Sequence, residues 1–156
     1  MKIEFISVGK KHDENLREVI EDYTNRIGHF CEVSWSIVKG RIENEKDKEK
    51  SLGEEGKDIL EKIKIEDHVI LLDETGKEWD TVELSKFLKG KQEESIKRLV
   101  FIIGGAFGIS DEVRSRANHN WSLSKLTFPH MLVRLILSEQ IYRATTILKG
   151  SKYHHS

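Results

Sequence analysis

Leu99-Val100-Phe101-Ile102-Ile103 runs straight into Gly104-Gly105-Ala106-Phe107-Gly108. Five consecutive apolar residues read as a strand buried on both faces, the pattern of a parallel sheet covered by helices. Glycine at a strand end lets another backbone or a ligand approach closely. A second apolar run, Trp121-Ser122-Leu123-Ser124-Lys125-Leu126, breaks at Thr127-Phe128-Pro129-His130 and opens into a long apolar helix reaching Leu148. Two such strand ends side by side make a pocket for a small molecule.

Outward from this pair, strands and helices alternate along the whole chain, which predicts an α/β domain with a mostly parallel sheet flanked by helices. Residues 2–8 read as a strand closed by Gly9. Asp13 caps a helix with an apolar stripe at Leu16, Val19, Ile20, Tyr23 and Ile27, ended by Gly28. Cys31, Val33, Trp35 and Ile37 alternate with polar residues as a second strand. Residues 41–51 form a solvated run of mixed charge, followed by a helix with Leu52, Ile59, Leu60 and Ile63 on one face. Residues 68–73 are a short buried strand, residues 74–79 a loop, and Asp80 with Glu83 a capping box for a helix over 82–88. Ser110 caps a short helix, and Pro129 suits the first turn of the last one, which spans 129–148. Residues 1–156 form a single domain without repeats or Pro/Ser-rich linkers.

Composition sets the class. With 156 residues, 37% hydrophobic and 34% charged, the chain is large enough for a proper core and reads as soluble and globular. It has no apolar run long enough to span a membrane and no leader-like N-terminus. Cys31 is the single cysteine, so an internal disulfide is excluded, and a cytoplasmic setting with a buried apolar thiol is expected. The histidines show no metal-ligand spacing, and no metal is expected. The net charge of −1 is unevenly spread: residues 113–156 hold seven Lys/Arg (Arg114, Arg116, Lys125, Arg134, Arg143, Lys149, Lys152) against the single acid Glu139. A basic segment beside the candidate pocket suits a polyanion, although such side chains also cap helices or cover apolar surface.

From Met131 to Leu148, 11 of 18 residues are apolar and spread over more than one face. A sheet covers one side of such a helix, and a second subunit covering the other predicts a homodimer. The glycine cluster fits neither G-x-G-x-x-G nor a phosphate loop, and alone it reads equally as a tight turn. Beside residues 122–127, with their backbone amides, hydroxyls and apolar walls, it suits an adenosine-sized ligand. Acid–base candidates nearby are His130, Glu139, Tyr142 and Arg143. Glu139 and Arg143, four apart, also suit a simple pair, and His130 a structural hydrogen bonder.

Met1-Lys2-Ile3, Val8-Gly9-Lys10, Leu71-Leu72-Asp73, Gly76-Lys77, Ile103-Gly104-Gly105, Gly108 and above all Ser122-Leu123-Ser124-Lys125-Leu126-Thr127-Phe128-Pro129-His130, Val133-Arg134, Glu139-Gln140 and Tyr142-Arg143-Ala144 carry a resemblance over the whole chain. They resemble the RlmH (YbeA) family of SPOUT-class enzymes, which methylate N3 of a pseudouridine in large-subunit rRNA. The resemblance implies a C-terminal trefoil knot, a homodimer with sites near the interface, and S-adenosyl-L-methionine as methyl donor. Its cofactor site maps onto Leu72, Gly104, Leu123, Ser124, Lys125, Leu126, Thr127 and Phe128. Where the family often has Pro or Ser after two glycines, Ala106 stands, which leaves only backbone contact there.

The expected activity is methyl transfer to N3 of a pseudouridine in a hairpin of 23S rRNA on the assembled ribosome. The work of the enzyme is alignment. His130, Arg143, Tyr153 and His154 are the candidates for orienting the base or its phosphates. Arg114, Arg116, Lys125 and Arg134 are candidates for phosphate contact. The alternatives are a non-enzymatic ribosome-associated binding or assembly factor, and a tRNA methyltransferase of the same fold.

Overall fold

The computed structural model describes residues 1–41 and 44–150. Its elements run β1 (Lys2–Val8), α1 (Glu14–Gly28), β2 (Val33–Val38), α2 (Lys48–Leu60), β3 (His68–Glu78), α3 (Thr81–Glu93), β4 (Arg98–Ile103), α4 (Asp111–Arg116), β5 (His119–Ser122) and α5 (His130–Leu148). Among the described residues five strands form one sheet in the order β2-β1-β4-β3-β5, and every pairing is parallel.

The period of two in the strands sorts the core into two layers. Ile3 and Phe5 of β1, Ile70 of β3 and Leu99, Phe101 and Ile103 of β4 pack with Ile27, Leu84, Leu88, Leu137, Ile141 and Ala144. Helices α1, α3 and α5 therefore cover one face. The alternate residues Ile6, Val8, Val69, Leu71, Val100 and Ile102 pack with Ile59 and Val113 under α2 and α4. Both faces of β1, β4 and the first half of β3 are buried; β3 and β4 have the unbroken apolar runs this requires, and β1 carries the buried Glu4 and Ser7 among its apolar residues.

The caps are local and match the sequence. Asp13 accepts from the amide of Asn15, Ser110 from that of Val113, and Asp80 and Glu83 close a capping box. Several boundaries differ: α3 runs on to Glu93, β2 begins only at Val33, and Pro129 is the N-cap of α5 and not its first residue. The stretch 41–51 is no plain solvated run: a 3-10 turn at Glu45–Asp47, capped by Asn44, leads into α2 at Lys48. Ile63 lies beyond the end of α2. Residues 74–78 continue β3 instead of forming a loop, because the strand slips register after Leu72 and pairs again with β5 at Lys77 and Glu78. Gly76 permits this approach: a methyl group there would lie 2.6 Å from the Asn120 carbonyl carbon. Conversely, β5 stops at Ser122, and only the first part of the Trp121 run is strand.

The last crossing positions the site. β5 is the edge strand beyond β3, yet Arg134, in the second turn of α5, hydrogen-bonds Ser7 of β1. Residues 123–129 thus pass over the ends of β3 and β4. That is about 14 Å across three strand spacings, well within the reach of seven extended residues.

Candidate functional site

Where residues 123–129 cross the strand ends, they roof a cleft of about 910 Å³. One wall is Leu72-Asp73-Glu74-Thr75 from β3. A second is Ile103-Gly104-Gly105-Ala106 with Gly108 and Ile109 after β4. The third is Leu123, Ser124 and residues 126–130, with Val133 from α5 and Arg114 from α4. The volume is that of a site for a cofactor-sized molecule. Of the sequence-predicted cofactor set, Leu72, Gly104, Leu123, Ser124, Leu126, Thr127 and Phe128 line this cleft. Lys125 is exposed and is not part of its wall. The loop turns there, so a residue between two wall residues points elsewhere.

The glycine segment is both a tight turn and a wall. The Gly108 amide donates to the Gly105 carbonyl at 3.1 Å, and Gly108 sits at φ 92°, where a side chain would be strained. The opposite loop is held by its own hydroxyls. Ser122 Oγ donates to the Ser124 carbonyl at 2.9 Å, and the Leu126 amide donates to Ser124 Oγ at 3.0 Å. Leu126 is left 69% exposed at the rim, an apolar side chain available to a bound molecule. Apolar walls from Leu72, Ile103, Leu123 and Phe128 and bare backbone at Gly104 and Gly105 fit an adenosine, which needs faces to stack on and backbone groups to read its edge.

His130 begins α5 and faces the cleft. Burial, and then the positive charge of Arg134, lower its pKa below the ordinary histidine value, so the ring is neutral at pH 7. A methyl group on Gly9 would sit 3.2 Å from His130 Nε2 and 3.5 Å from Arg134 Nη2, so both side chains close on the end of β1. Arg143 is not in this chain's own cleft. It lies 13 positions beyond His130 on one straight element, about 20 Å away, and its Nε and Nη2 donate to Glu139 Oε1 at 2.8 and 2.6 Å. Tyr153 and His154 lie outside the described residues.

The phosphate candidates divide. Arg134 is wholly buried and donates to Ser7 Oγ, the Lys10 carbonyl and the Val8 carbonyl, so it pins α5 to β1 and is not available to RNA. Arg116 donates to the carbonyls of Lys64 and Asp67 and ties two loops together. Arg114 lines the cleft and is paired with Asp73. The wall at Asp73, Glu74 and Thr75 is legible only as the continuation of Leu72, since the sequence reads Asp73 as the end of a core strand and Glu74 and Thr75 as a loop.

Among the described residues no group of three or more His, Cys, Asp or Glu is placed to hold a metal ion. Cys31 is half-buried at the opposite end of the sheet, beside Met1, Ile3 and Leu148, and burial raises its thiol pKa. No helix among the described residues is long and apolar enough to cross a membrane.

Comparisons with known proteins agree with the geometry. A family model described as "Predicted SPOUT methyltransferase" matches residues 1–154. A protein of Maridesulfovibrio salexigens is 43% identical, with 99% of this chain and 98% of that one covered. One of Flavobacterium psychrophilum is 42% identical, with 99% of each covered. One of Christiangramia forsetii is 38% identical, again with 99% of each covered. All three are called "Ribosomal RNA large subunit methyltransferase H". Among solved structures, a probable methylase family protein from Haemophilus influenzae superposes with a TM-score of 0.53 at 10% identity, covering 99% of this chain and 70% of that one, a likeness of fold. On the full-length family match and these relatives, the chain belongs to the SPOUT methyltransferase family.

Proposed function

We propose that this protein methylates N3 of a pseudouridine in a hairpin of 23S rRNA, acting in the cytoplasm on the assembled ribosome with S-adenosyl-L-methionine as donor. The observation that carries the reading is the cleft, in which seven of the eight expected cofactor residues converge from three separate segments of the chain. The relatives' shared name supports large-subunit rRNA as the substrate.

The donor supplies an electrophilic methyl carbon on a sulfonium, so no covalent enzyme intermediate is needed. What this chain contributes is placement. Leu72, Leu123, Leu126 and Phe128 enclose the adenosine, with Ser124 and Thr127 shaping the loop and Gly104 giving backbone access. His130 presents a neutral imidazole at the cleft, able to accept a hydrogen bond from the base. Arg143, too distant within its own chain, serves the cleft of a partner subunit, where it orients the base or its phosphates with Tyr153 and His154. The homodimer and the trefoil knot belong to this reading. The dimer is supported by the apolar side chains left on the outer side of α5, such as Leu132 at 39% exposure. The knot is supported by the passage of residues 123–129 across the strand ends.

The test incubates ribosomes from cells lacking this protein with the purified chain and labelled donor, and identifies the labelled nucleoside by mass spectrometry. N3-methylpseudouridine in 23S rRNA is expected. Label in tRNA, or ribosome binding without any label, would overturn the assignment.

A further inference from the structure

Arg114 stands in the last turn of α4 with its guanidinium on the cleft wall. Its Nη1 donates to Asp73 Oδ2. The other oxygen of Asp73 already accepts the Thr75 amide at 2.8 Å and the Thr75 hydroxyl at 2.6 Å. The carboxylate thus accepts three hydrogen bonds and anchors the guanidinium. A guanidinium has five N–H donors, and Asp73 is the hydrogen-bond partner of Arg114 among the described residues. The side chain is still 39% exposed. Among the described residues lining the cleft, it is the one permanent cation, since the ring of His130 is neutral and Lys125 lies outside. Glu74 brings a carboxylate to the same rim, where it accepts the Thr127 hydroxyl at 3.4 Å.

We propose that Arg114 binds the carboxylate of the donor's amino-acid moiety, with Asp73 holding it in place and Glu74 facing the ammonium; this rests on the cofactor reading above. The amino-acid end of the donor is a zwitterion, and this rim offers one group of each sign. An arginine already fixed by a half-buried carboxylate loses little further freedom on meeting a second anion, and its remaining donors match a carboxylate in the fork geometry. An RNA phosphate is the competing anion. The demethylated thioether left from the donor keeps the carboxylate and the ammonium but loses the sulfonium charge, so Arg114 holds donor and product alike.

Isothermal titration of the purified full chain and of R114Q with three ligands tests this: S-adenosylmethionine, its decarboxylated analogue, and 5′-methylthioadenosine, which lacks the whole amino-acid moiety. The wild type is expected to prefer the complete donor over the decarboxylated one by roughly ten- to hundredfold, the range for a charge-assisted hydrogen bond. R114Q is expected to lose that margin, with its affinity for methylthioadenosine changed by less than about threefold. Equal wild-type affinity for the two donors overturns the proposal without recourse to any variant. So does a variant that weakens all three ligands alike, or one that keeps the full preference for the complete donor, which would leave Arg114 to a phosphate. Wild-type protein that binds none of the three overturns the cofactor reading itself.

Discussion

Arg134 is wholly buried, yet the groups it meets are neutral: the Ser7 hydroxyl, the carbonyls of Val8 and Lys10, and His12 Nδ1 at 3.3 Å. Desolvation lowers its pKa to about 10, still well above neutrality, so the charge is kept and spread over four acceptors. His12 must present an unprotonated nitrogen to it, and burial followed by the same charge holds the pKa of His12 below the ordinary value. Replacing Arg134 strands several buried acceptors together, at about 1–3 kcal/mol each before relaxation. R134M is therefore expected to lower stability by about 3 kcal/mol or more, read from urea midpoints, and the pKa of His130, followed by NMR, is expected to rise. R134K should recover only part of the loss, because one ammonium cannot span acceptors set for a fork. None of this was legible beforehand: Arg134 read as a surface cation, since its carbonyl partners come from more than 120 positions away.

At the scale of elements, what the sequence disclosed was local. Asp13, Asp80 with Glu83, and Ser110 cap the helices they precede, because a cap is decided within three residues. The tail of β3 was missed because its pairing with β5 spans more than forty positions and depends on a register slip. Leu72 entered the site only through family resemblance, as one more apolar residue in a core strand. The same β3–β5 junction gathers a half-buried aromatic cluster around the buried Trp121. His68 lies 5.0 Å from His119 between ring centroids, Trp79 stacks on Trp121 at 5.3 Å, and Phe87 of α3 packs against both His119 and Trp79. Burial first, then Lys91, hold the pKa of His68 down to about 4, and His119 is lowered for the same reasons. Glu94 opposes both shifts, and Arg116 adds to that of His68. The unfolded chain then binds the proton that the folded one refuses, so stability rises with pH from about 4 to 6.5 and is lost as pH falls through that window. Discounted for partial exposure, the His68 share is about 1–2 kcal/mol. H68F is expected to flatten the pH dependence of the urea midpoint between pH 4.5 and 7 by that amount. An unchanged slope would show that His68 is accessible and titrates normally.

For the whole molecule, the placement of Arg143 and the surface of α5 bear on the same question. The buried side of α5, through Leu137, Ile141 and Ala144, is covered by the sheet with α1 and α3 beside it. Leu132, Leu135, Ile136 and Ile147 remain partly or well exposed on the same helix. A helix apolar on a second side leaves that side for another surface to bury. The basic segment also makes sense at this scale. With Arg134 and Arg116 spent inside one chain, the exposed Lys125 and Lys149 are left to meet RNA, and a two-fold dimer would set Arg143, held by Glu139, of one subunit towards the cleft of the other. Leu132 and Ile136 lie one turn apart, so L132E/I136E places two charges on that outer side without disturbing the buried one. Light scattering is expected to show the wild type at twice the 18.1 kDa chain mass and the variant at the chain mass. Since the cleft is built from one chain, the variant should still bind the methyl donor. Its methyl transfer to ribosomes should fall by at least about tenfold, the scale of loss when substrate-orienting groups are displaced. A monomeric variant that remains fully active would place base orientation within a single chain and remove Arg143 from the reaction.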